Sequence, residues 1–94
     1  MDFHKSRAIL IKKKNGDFLI DEIKSTVADL EEFRSSNIEW HLGQAKCYAY
    51  MFAKEQKLSH IDIRLVYIRQ GKEKQRLNDY YSCSIGELED YVRE

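Results

Sequence analysis

The sequence predicts a mixed α/β (α+β) domain with a central four-stranded mixed sheet flanked by helices, in the order ββαββα. Two β-branched apolar runs flank an Asn-Gly pair at 15 and 16, a hairpin signature. A stretch rich in helix formers then runs without turn chemistry from Glu39 to about Lys57. After it, "IDIRLVYIR" at 61–69 alternates strictly, with Ile61, Ile63, Leu65 and Tyr67 on one side and Asp62 and Arg64 on the other.

Taken in order, "RAILIKK" at 7–13 is a first strand and "FLIDEIK" at 18–24 its antiparallel partner. Between them Asn15 and Gly16 tolerate the positive φ angles of a tight primed turn. The stretch "STVADLEEFRSSN" at 25–37 reads mostly as loop, because Ser35, Ser36 and Asn37 interrupt the short apolar pattern of Leu30 and Phe33. The main helix follows despite Gly43, and Trp40, Tyr50, Met51 and Phe52 are assigned to the core. A turn at 70–73 joins the third strand to a fourth, "KQRLNDYYSC" at 74–83. Ser84 and Glu87 then form a capping box for a terminal helix whose apolar face carries Ile85, Leu88, Tyr91 and Val92.

Ninety-four residues suit one domain with one core. Sixteen basic and sixteen acidic side chains cancel, so any contact with a polyanion has to come from a local patch. Lys5, Arg7, Lys12, Lys13 and Lys14 form such a run near the amino terminus, a pattern that solubilising lysines on a hairpin also produce. Cys47 and Cys83 form no C-x-x-C pair and are expected as buried free thiols in a reducing compartment. No apolar run approaches membrane-spanning length, and a cytoplasmic location is expected, with no membrane partner.

Chemistry concentrates in "IDEIKST" at 20–26. Alternation sends Glu22 and Lys24 to one face of the second strand beside Ile20, and Asp21 and Ile23 to the other. Acid and amine side by side could serve a hard cation and a phosphate, or could simply pair as a salt bridge. On the helix, Gln44 and Tyr48 stand at i and i+4, with His41 one turn before Gln44. A hydrolase using His41 as base and Cys47 as nucleophile fits poorly, since residues six apart on a helix point to different faces.

The ordered set of E-x-K at a strand end and, about twenty residues on, a helix bearing Q-x-x-x-Y resembles the PD-(D/E)XK nuclease superfamily, closest to its RecB-like branch. That branch orders a "GRxD" strand, a turn, a strand ending in "DYK" or "DEIK" and a "Q-x-x-x-Y" helix; the corresponding segments here are "SRAI", "NGD", "IDEIKST" and "GQAKCYAY". The remainder, "IDIRLVYIRQGKEKQRLNDYYSCSIGELEDYV", is similar to the end of the nuclease domain carried by DinG-like and XPD-like helicases. The resemblance spans nearly the whole chain and implies a restriction-endonuclease-like core. It also implies roles: Glu22 as ligand to Mg or Mn, the Ile23 carbonyl as a second oxygen ligand, Lys24 orienting the attacking water, and Gln44 and Tyr48 steadying the lysine and the substrate phosphates. The implied reaction is metal-assisted hydrolysis of a DNA phosphodiester, with DNA and a helicase domain or subunit as partners.

The first-strand aspartate of that family falls on Ile9, which cannot ligate a cation, and Asp17 or Asp2 would need another register to replace it. The family's amino-terminal histidine has no clear counterpart either, because His4 lies too close to the first strand. The expectation is therefore a degenerate or amino-terminally truncated nuclease domain, or one completed by another segment or by a homodimer along the unpaired edge of the first strand. The competing expectation is a non-catalytic interaction module in which Glu22 and Lys24 merely pair.

Overall fold

In the computed structural model, which describes residues 4–71 and 74–93, strand β1 (His4–Lys12) turns back into β2 (Phe18–Thr26) as the Asn-Gly pair predicts. The turn differs from the expected two-residue primed type. Gly16 N–H donates to the Lys13 carbonyl (3.0 Å), Lys13 N–H donates to the Asp17 carbonyl (2.7 Å), and of the loop residues Gly16 alone takes positive φ, at 94°. This is a three-residue loop of type I geometry closed by a left-handed glycine, and Asn15 serves as a side-chain acceptor for Asp17 N–H (3.0 Å).

Helix α1 (Leu30–Glu55) starts nine residues earlier than expected, inside the stretch read as loop. Asp29 caps it, accepting from Glu32 N–H at 3.0 Å. Ser35 and Ser36 are exposed and Asn37 donates to the Phe33 carbonyl (2.8 Å), so these residues stay in the helix without opposing it. Burial of Leu30 and Phe33 in the core, plus the bidentate Arg34–Asp79 bridge (2.6 and 2.7 Å), outweighs their weak local propensity.

The chain then forms β3 (His60–Arg69), β4 (Gln75–Ser84) and α2 (Ile85–Arg93). The turn expected at 70–73 lies partly outside the described residues. The Ser84–Glu87 capping box is present in both directions, at 3.1 and 3.3 Å. The sheet runs β1-β2-β3-β4; β2 and β3 are parallel, joined by α1, and the other two pairs are antiparallel.

Both helices cover one face. Ile61, Ile63, Leu65 and Tyr67, all fully buried, meet Ala45, Ala49 and Ala53 of α1 and Leu88 of α2 there. Each large aliphatic in this layer contributes on the order of 1.5–3 kcal/mol. The small alanines let α1 lie close on the sheet, and this turns its bulkier side chains outward: Trp40 is 69% exposed and Met51 63%, against the core placement expected for them. Tyr50 and Phe52 are half-buried at the core margin. Cys83 is buried as expected, whereas Cys47 lies on the outward side of α1 and is exposed. The smallest dimension is 16 Å, the thickness of one sheet and one helix layer, so among the described residues no element is stacked on the opposite face of the sheet. Among the described residues no helix is long and apolar enough to cross a membrane.

Candidate functional site

The hairpin register decides what surrounds the E-x-K segment. Because the loop centres on residue 15, Ala8 stands opposite Glu22 and Ser6 opposite Lys24. Alternation points Ser6, Ala8 and Leu10 to the helical side, where α1 does not reach them: all three are exposed. A corner is thus left between the flank of α1 and the floor made by β1. Glu22 and Lys24 sit in this corner, 2% and 4% exposed, beside buried Ile20.

The Lys24 ammonium donates to Ser6 Oγ (2.5 Å) and Gln44 Oε1 (3.1 Å), and lies 3.9 Å from Glu22 Oε1. The other Glu22 oxygen, Oε2, is buried with no hydrogen-bond partner among the described residues. Burial pushes the Glu22 carboxyl above its ordinary range, and the Lys24 charge only partly offsets this. Three of the four residues singled out by sequence therefore converge. The fourth, Tyr48, is 49% exposed and makes no hydrogen bond among the described residues, although it shares the outward flank of α1 with Gln44. His41 leaves the polar stripe altogether: it is buried, its Nδ1 is 3.0 Å from the Tyr67 hydroxyl, and its ring tilts against Phe33 and Tyr67.

Several expected positions have other occupations. Ile9 faces away from the corner, in register with Asp21, so the position facing Glu22 on the first strand is Ala8 and not Ile9. Asp21, on the far face, is held by Arg64 through two bonds of 2.9 and 2.5 Å. Asp17 stays in the hairpin loop with Asn15 and His60. Asp2 and the His4 side chain lie outside the described residues. Ile23 is paired with Arg7 on one side and Val66 on the other, so its carbonyl lies in the sheet plane toward a neighbouring strand.

These contacts test whether the corner suits Mg or Mn. A hard divalent cation takes several oxygen ligands, usually with more than one carboxylate. Here Glu22 supplies one carboxylate, an ammonium lies within 4 Å of it, and the inward β1 positions bear a hydroxyl, a methyl and an isobutyl group. Among the described residues no three His, Cys, Asp or Glu side chains gather as a metal site. The chain's own residues do not fit the cation.

Ser6 and Ala8 are the site residues that sequence reading passed over. Counting the hairpin loop as three residues instead of two would have placed both. Compared with family models, curated proteins and solved structures, the chain matches none.

Proposed function

We propose that this chain is a degenerate DNA nuclease-like domain of the PD-(D/E)XK type: it retains the acid, amine and amide of that site and lacks the second carboxylate that hydrolysis requires. The observation that carries this reading is the convergence of Glu22, Lys24 and Gln44, from two elements, in the corner between α1 and β1. Magnesium- or manganese-dependent cleavage of DNA by the chain alone is then weak or absent. The partners this reading implies are DNA and a helicase domain or subunit, in a reducing cytoplasmic setting that suits two free thiols. A second copy along the edge of β1 belongs to the same reading.

The test is restoration. Directly opposed residues of an antiparallel pair have Cβ atoms about 5 Å apart, a separation that two carboxylates on one cation can span. Ala8→Asp, at an exposed position, is expected to give manganese binding by titration calorimetry and cleavage of plasmid or single-stranded DNA, both lost again when Glu22→Ala is added. A folded Ala8→Asp protein with neither property would overturn the nuclease reading.

That outcome would favour a non-catalytic interaction module. The observation on its side is the sealing of Lys24, whose ammonium has protein acceptors in Ser6 and Gln44 and a carboxylate nearby. Robust metal-dependent cleavage by the unaltered chain, abolished by Lys24→Ala, would instead show the site to be intact.

A further inference from the structure

The face of the sheet turned away from the helices has a composition the nuclease reading does not use. The register arranges it in four rows running from β1 to β4: Ile11, Leu19, Asp62, Ser82; then Ile9, Asp21, Arg64, Tyr80; then Arg7, Ile23, Val66, Asn78; then Lys5, Ser25, Ile68, Arg76. Leu19 and Val66 are buried, 6% and 1% exposed, although no element among the described residues is stacked above them. Their neighbours on the same face close over them. What projects is one aromatic ring, the cations Lys5, Arg7 and Arg76, and the polar Asn78 and Ser82.

The ring is Tyr80, 66% exposed, with the Arg64 guanidinium 6.0 Å from its centroid. Beside it opens a pocket of about 380 Å³, lined on this face by Lys13, Leu19, Asp62, Tyr80 and Ser82. The acids of the face are already engaged, Asp21 by Arg64, Asp62 by Lys13, and Asp17 at the hairpin end by Asn15, with His60 3.5 Å away. Basic side chains still outnumber them, with Lys5, Arg7, Lys13, Arg64 and Arg76 against Asp17, Asp21 and Asp62 among the described residues. In a chain of zero net charge this excess is a local positive field, and its complement is a polyanion.

We propose that the uncovered sheet face is a docking surface for single-stranded nucleic acid, with one base stacked on Tyr80 over the adjoining pocket and the phosphates following Arg7 and the Lys5–Arg76 row. A single strand fits better than a duplex for two reasons. The face is a sheet with no helix or ribbon projecting to enter a groove, and an exposed ring needs an unpaired base to stack on. From the pocket row to the Lys5–Arg76 row is about 20 Å along the strands, room for a short run of nucleotides. The pocket is lined by Lys13, Asp62 and Ser82, which bond to one another and give it a polar wall beside the Tyr80 ring. The surface is separate from the Glu22–Lys24 corner, so the inference stands or falls independently of the nuclease reading.

Fluorescence anisotropy with a labelled oligothymidylate tests it. The unaltered chain is expected to bind, with affinity falling steeply as salt rises. Tyr80→Ala, at an exposed position where the fold tolerates truncation, weakens binding about tenfold. Arg7→Ala with Arg76→Ala also weakens it and flattens the salt dependence. Circular dichroism melts confirm that both variants fold. Lys54→Ala, at an exposed position on the helix side, leaves binding unchanged. The proposal is overturned if the oligonucleotide fails to bind at protein concentrations of about 10⁻⁴ M, the weak end of non-specific contact. It is equally overturned if folded Tyr80→Ala and Arg7→Ala/Arg76→Ala proteins bind as the parent does. Loss in Lys54→Ala with no change in Tyr80→Ala would put the strand on the helix side. Self-association by sedimentation that Tyr80→Ala abolishes, without oligonucleotide binding, would assign the face to a second copy.

Discussion

Glu22 carries its charge problem in one atom: a buried carboxylate oxygen with no hydrogen-bond partner among the described residues, next to an ammonium that bonds elsewhere. Burial raises the folded-state pKa above the ordinary 4.5, so the folded protein holds this proton more tightly than the unfolded chain does. The resulting stabilisation is complete below 4.5 and is lost as pH rises through the raised folded value. Glu22→Gln removes the titration. Urea unfolding followed from acid to neutral pH should show the parent losing stability relative to Glu22→Gln as pH rises; a pH-independent difference would contradict this assignment. The same scale shows what sequence could reveal. Alternation was enough to put Glu22 and Lys24 on one face and Asp21 on the other. The partners of those residues, Ser6 for Lys24 and Arg64 for Asp21, depend on register and on strand neighbours 18 and 43 positions away, which no local pattern encodes. Asp62 is a further case: burial opposes its ionisation, yet bonds from Lys13 and Ser82, with the charges of Lys13 and His60, hold it below the ordinary carboxylate range.

Helix α1 shows why element boundaries and facing were harder to read than element order. From residue 45 on, its buried stripe is alanine, so the strong apolar signal of Trp40, Tyr48 and Met51 belongs to the outward side, and a reading by hydrophobicity inverts the two. The early start was legible in principle, since Asp29 followed by Glu32 repeats the pattern of a capping box, but three polar residues at 35–37 obscured it. Close approach through Ala45, Ala49 and Ala53 leaves no room for larger groups. Ala49→Leu should therefore destabilise the protein by about 1–3 kcal/mol in denaturant titration, with no change in far-ultraviolet dichroism at low denaturant. The helix ends on a second readable strain. Leu58 N–H donates to the Ala53 carbonyl (2.8 Å) and Lys57 N–H to Lys54 (3.3 Å), a closure that puts Lys57 at φ 55°. Glycine adopts that conformation without steric penalty. Lys57→Gly is expected to raise stability by about 1 kcal/mol in thermal or urea melts, less whatever freedom glycine adds to the unfolded chain.

At the level of the whole molecule, the order of six elements and the mixed sheet followed from the turn residues and the two hydrophobic periods. The layering did not: nothing in the alternation of β1 indicates that the helices stop short of it. Arg34 of α1 reaches Asp79 on β4, tying the helical layer to that side of the sheet, and His41 meets Tyr67 beneath it, where burial pushes the tyrosine hydroxyl up to about 12. On the opposite side the link between layers is narrower, running from Ser6 of β1 through the Lys24 ammonium to Gln44 of α1. β1 is held by its ladder to β2 and leaves its inward side chains in solvent.

One consequence of that asymmetry concerns Ser6, the side chain from β1 that lies over the Lys24 amine. An acylating reagent reacts with a neutral, accessible amine, so Lys24 becomes reactive only during the moments when the first strand peels away and takes the serine with it. Its labelling rate is then a clock for that peeling. Mass spectrometry after timed treatment with acetic anhydride should find Lys24 modified far more slowly than exposed Lys14 and Lys54, and a destabilised hairpin, as in Gly16→Val, should quicken Lys24 alone.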